Sequence, residues 1–206
     1  MSNPLHIWKR LSASAALMII LVFVWYSYPT KAGPTCMPDC MLADFQGHDL
    51  SGADLRGGSF IQADLQASNL QQVSLYLANL TAANLRESQL AKADLSQAIL
   101  SQADLRGADL RGAKLRGADL RQADLRDANL SDADLRGANL HQANLMRAVL
   151  TSATLTEANL AESNLRRANL TDAVLRRADL RGADLRRAKM ENADINGADL
   201  NGTFLN

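Results

Sequence analysis

The chain has 206 residues, 22 basic and 22 acidic side chains, a formal net charge of zero, and only 4 % aromatic residues. That length suits one or two domains. The charge balance argues against a strongly polyanionic surface and against a general nucleic-acid binder.

Residues 1–32 differ in kind from the rest. Lys9 and Arg10 precede an apolar run from Leu11 to Tyr28, densest between Ala15 and Trp25. The pattern predicts an N-terminal hydrophobic helix that is either an export signal or a membrane anchor. Pro29, followed by Thr30-Lys31-Ala32 before Gly33, suits cleavage. The length of residues 11–28 and the aromatic end at Trp25, Tyr26 and Tyr28 suit a retained anchor at a membrane interface. Both readings leave the amino terminus in the cytoplasm. Both carry the rest across the membrane, into a periplasm, a lumen or the exterior.

Residues 33–42 read as a linker with Pro34, Pro38 and the only two cysteines, Cys36 and Cys40. In an oxidising compartment a disulfide closing this short loop would pin the entry to the segment after residue 42. Two free thiols are the alternative. Two cysteines are too few for a structural zinc site.

From residue 43 to 206 the chain repeats every five residues, most plainly in ADLRGADLRGAKLRGADLRQADLRDANL from Ala103. On an α-helix a step of five turns each Leu roughly 140° from the last, which scatters the leucines around the axis. A flat strand sends alternate leucines to opposite faces, because its side-chain period is two. What remains keeps Ala and Leu together as an inward pair and bends the chain through the other three residues, so that it coils around its own leucines.

These residues resemble the pentapeptide-repeat family, whose motif is Ala at i−2, Asp or Asn at i−1 and Leu at i. In that register i falls on every multiple of five from Phe45 to Leu205, giving 33 pentapeptides without an insertion. Position i is Leu in 29 of them, i−2 is Ala in 26 and i−1 is Asp or Asn in 23. The resemblance implies an all-β solenoid, a right-handed quadrilateral β-helix of about eight coils with four pentapeptides per coil. Coils stacked at β spacing, about 4.8 Å, would form a rod about 40 Å long. Replacements of Ala by His48, Gly58, Ser68, Val73 and Ser88, and of Leu by Phe45 and Phe60, predict less regular early coils. His48 is expected to point inward and His141 outward. Asp or Asn at i−1 fits turn chemistry, because its oxygen can accept a bond from nearby backbone N–H groups.

Folding the register by 20 residues stacks Arg86, Arg106, Arg126, Arg166 and Arg186 in one column, with Arg167 and Arg187 in the next. One reading is a docking strip for an anionic partner: a lipid headgroup, a phosphorylated or sulfated glycan, or an acidic protein. The other is a solvated ladder neutralised by Asp104, Asp124 and Asp184. At the far end Phe204 and Leu205 have no capping helix after them. Resemblance to topoisomerase-protecting members of the family implies a homodimer through the C-terminal coil; the alternative is that Phe204 folds over the last coil.

No HExxH, GxSxG or phosphate-cradling glycine loop is present, and the histidines lack metal-ligand spacing. No catalytic, cofactor-binding or metal residue is therefore expected. The chemistry favours an exported, non-enzymatic scaffold or a module that binds a protein or an anionic envelope ligand, without direct nucleic-acid binding. The other reading is a DNA-mimic that guards a topoisomerase. The near-neutral repeat, the arginine column and the export segment count against it.

Overall fold

The computed structural model describes residues 39–205. The hydrophobic segment 11–28 and Cys36 lie outside the described residues.

Twenty-nine parallel bridges join each i−1 residue to the one 20 positions later, from Asp44↔Asp64 to Asp184↔Phe204. Each coil therefore holds four pentapeptides and stacks in register on the next. Leu at i and Ala at i−2 point inward and are almost completely buried from Leu50 to Leu185. Each buried Leu contributes roughly 1.5–3 kcal/mol relative to an exposed one.

The five-residue period follows from hydrogen bonding, because each backbone N–H has its own acceptor in a typical unit. Within the coil around Leu120, Leu120 donates to Asn139 O and Gln122 to His141 O, both in the next coil. Asp119 donates back to Ala98 O in the previous coil, and Ala123 closes a turn on Leu120 O. The fifth donor, Arg121 N–H, binds the Asp119 side chain at 3.2 Å. Asp or Asn at i−1 thus supplies an acceptor that the backbone lacks.

Each corner is a β-turn with positive φ at i+2, the sign pattern of type II. Glycine takes that place at only some corners. Others hold Gln, Glu, Asp, Lys or Arg at φ between 55° and 63°. Left-handed backbone is strained by about 1 kcal/mol or more for such residues. The bond that every described i+2 N–H before Arg187 donates to the next coil offsets this.

The early coils are regular, contrary to the sequence expectation. Ser68 and Ser88 replace Ala by turning their hydroxyls onto Leu65 O and Leu85 O, each at 2.7 Å. Gly58 makes room for the fully buried Phe60: a Cβ at 58 would lie 2.7 Å from the Phe60 ring. His48 is the second correction. It is exposed and its Nδ1 meets Gln46 O at 3.1 Å, and no earlier coil covers it among the described residues. Coil bonding is in place from Cys40, whose N–H donates to Ser59 O. Cys40 is disulfide-bonded.

Candidate interaction surface

Outward positions i−1, i+1 and i+2 carry all the chemistry. Where Asp at i−1 is followed by Arg at i+1, the carboxylate takes the Arg backbone N–H and the guanidinium together. Arg121 shows the geometry, with Nε 2.8 Å from Asp119 Oδ1 and Nη2 2.6 Å from Oδ2. The same clamp joins Asp54 to Arg56, Asp104 to Arg106, Asp109 to Arg111, Asp124 to Arg126, Asp134 to Arg136, Asp179 to Arg181 and Asp184 to Arg186. The guanidinium hydrogen bonds hold the carboxyls of Asp109, Asp119 and Asp134 below the usual range, and the carboxylates raise the arginines.

The arginine strip is therefore divided. Arg106, Arg126 and Arg186 are clamped by the aspartates of their own pentapeptides. Arg86 and Arg166 follow Asn84 and Asn164 instead, which offer no charge. Arg166 reaches Asp184 only at 3.8 Å, and the buried Nε of Arg86 has no hydrogen-bond partner. Arg167 is exposed at a corner, and Arg187 follows one coil later in the same column. Its other neighbour in that column, Arg147, is clamped across coils to Asp127 at 2.6 Å.

Small corner residues open two shallow concavities. One, about 340 Å³, lies over Gly107 and is walled by Arg86, Arg106, Arg126, Glu87 and Asp127. The other, about 520 Å³, lies where Ala161, Gly182 and Gly202 leave the corner bare. His141 overhangs it with Nδ1 3.0 Å from Ala161 O. No group of three or more His, Cys, Asp or Glu side chains among the described residues is placed to hold a metal ion. A polar ladder also runs along this edge: Gln102 donates to Gln122, Gln122 to Gln142 and Gln142 to Glu162. Sequence reasoning missed it, although the glutamines recur at intervals of 20.

At the far end Phe204 occupies an outward i−1 position and Leu205 the open axis, 55 % and 59 % exposed. The Arg186 guanidinium lies over the Phe204 ring, 5.7 Å from its centre. The ring thus sits on the side of the rod, not across its end.

A family model for pentapeptide repeats, in eight copies, matches residues 59–97, 88–127, 128–167 and 168–206. There is no match among the curated proteins. Among solved structures, HetL of the cyanobacterium Nostoc sp. strain PCC 7120, a pentapeptide repeat protein involved in heterocyst differentiation regulation, is 32 % identical. That match covers 90 % of this chain and 92 % of HetL, with a TM-score of 0.41. Trypsin-treated QnrB1, a plasmid-mediated fluoroquinolone resistance protein, is 23 % identical over 82 % of this chain and 89 % of its own, with a TM-score of 0.45. A pentapeptide repeat protein of the Arabidopsis thaliana thylakoid lumen is 31 % identical over 64 % of this chain and 71 % of its own, with a TM-score of 0.31.

Proposed function

The chain belongs to the pentapeptide-repeat family, whose fold is the right-handed quadrilateral β-helix, and from that premise we propose that it is a non-enzymatic binding rod working beyond the cytoplasmic membrane. The observation that carries this reading is the division of its outward charges. Eight arginines are spent on aspartates of their own pentapeptides, whereas Arg86, Arg166 and Arg167 have neither an aspartate at i−1 nor a close ion pair. They belong to one edge of the rod and keep charge for an anionic envelope ligand. Export rests on Lys9, Arg10 and the apolar run 11–28.

Fractionation of the native protein, with mass spectrometry of its amino terminus, tests the location. A chain starting at Gly33 beyond the membrane, or anchored intact with its repeat outside, is the expected result. A repeat domain in the cytoplasm would overturn export and make topoisomerase protection the next assay. Sedimentation with phosphatidylglycerol vesicles tests the edge: the double variant Arg166→Glu, Arg167→Glu should lose binding that Arg106→Gln, at a clamped position, largely keeps.

A further inference from the structure

The rod has a chemical direction. In each pentapeptide two N–H groups, at i and i+2, point toward the later coil and one, at i−1, points back. Inside the rod every one of these meets a carbonyl. At the ends the imbalance is left over. On the last coil the N–H groups of Met190, Asn192, Ile195, Gly197, Leu200 and Gly202 have no partner among the described residues, while only the i−2 carbonyls face the same way. The first coil is the reverse. Among the described residues, its carbonyls at i−1 and i+1, such as those of Asp44, Asp49 and Ser51, accept no backbone bond, and fewer N–H groups beside them are unmet.

Side-chain charge also differs between the two end coils. Residues 39–58 hold four aspartates against Arg56, a net of −3. The last coil, residues 186–205, holds Arg186, Arg187 and Lys189 against Glu191, Asp194 and Asp199, a net of zero. Both ends also expose apolar side chains, Met41 and Leu42 at the first coil and Ile195 and Leu205 at the last.

We propose that the last coil is a docking surface for the first coil of a second copy of this chain, so that rods add head to tail. That contact sets donor-rich edge against acceptor-rich edge and stacks Lys189 on Asp49, which share one column of the 20-residue register. It continues the parallel ladder by strand addition. A symmetric contact between two last coils sets donors against donors, and every N–H left unmet and buried costs about 1–3 kcal/mol. A head-to-tail contact does not close on itself, so growth continues past two chains. The inference is independent of where the rod works.

Zero-length carbodiimide cross-linking of the full-length chain in mild detergent tests it. Lys189 and Asp49 are seven coils apart in one rod, about 34 Å at β spacing, so a link between Lys189 and Asp44 or Asp49 must join two chains. That link is expected, together with a sedimentation mass that rises with concentration beyond two chains. Lys189→Glu should weaken association at least about tenfold, and Asp49→Lys in the same chain should restore it. Both positions are exposed and leave the core untouched. A mass that stays at one chain, or stops at two without the Lys189 link, would overturn the proposal.

Discussion

The coil around Leu120 and the coil that ends at Leu205 use the same five-residue unit and the same turns, yet Leu120 is 1 % exposed and Leu205 59 %. The difference lies in what stacks on them. Turn chemistry and the i−1 acceptor set the backbone of each unit locally, whereas burial of its leucine is supplied by the coils on either side. Stability should therefore fall away toward the ends, as expected when each repeat contacts only its neighbours.

The sharpest way to break that comparison is to place one charge at each site. Leu120→Asp buries a carboxylate on a dry axis, at a cost of several kcal/mol. It should abolish the cooperative thermal transition followed by circular dichroism. Ile195→Asp, in a side chain already 39 % exposed, should cost under about 1 kcal/mol. Equal losses at the two sites would show that the rod does not melt coil by coil. Inserting one residue at Gly117 should act like Leu120→Asp, since it turns every later leucine off the axis.

A smaller effect separates fit from register. Gly58→Ala forces a Cβ against the Phe60 ring and should destabilise by about 1–3 kcal/mol. Phe60→Leu, in the same chain, should recover most of that loss. If Gly58→Ala is harmless alone, the pairing of small and large residues in this coil is not what keeps it regular.

Smaller again is the acceptor at i−1. Asn169 Oδ1 takes both the N–H and the hydroxyl of Thr171, at 3.1 and 2.7 Å. Asn169→Val should cost about 0.5–1.5 kcal/mol per bond lost. The natural sequence contains the converse at Val149, where the N–H of Thr151 has no such partner. Val149→Asn should raise the melting temperature.

Much of this was legible because a strict period constrains every residue at once. Leu, Ala and Asx each had one physical role, and the 20-residue stack of Arg86, Arg106, Arg126, Arg166 and Arg186 could be read from numbering alone. What the numbering could not rank was which arginines are committed. That depends on Asp against Asn two residues earlier, and on an Asp oxygen reaching the backbone and the guanidinium together. His48 departs from the expectation for another reason: its position is inward by register but lies on the first described coil, with none stacked above it among the described residues. The regularity of the early coils was misjudged because Ser68 and Ser88 satisfy their hydroxyls on the turn carbonyl, a local solution that composition hides.

The slightest expected effect separates the two tasks of the clamping aspartates. Asp119 is lowered below the ordinary carboxylate range, first by its hydrogen bonds to Arg121. A carboxyl lowered by folding adds stability above its unfolded value and loses it as pH falls through its folded one. The rod should therefore keep its melting temperature down to about pH 4 and lose it progressively below. Asp119→Asn keeps an acceptor for the Arg121 N–H and gives up only the charge. It should lower the neutral-pH melting temperature slightly and shrink the acid-induced drop. Asp119→Ala removes both functions and should lower stability at every pH. If the Asn and Ala variants were equally unstable at neutral pH, the backbone acceptor would contribute nothing. The preference for Asp and Asn at i−1 would then need another cause.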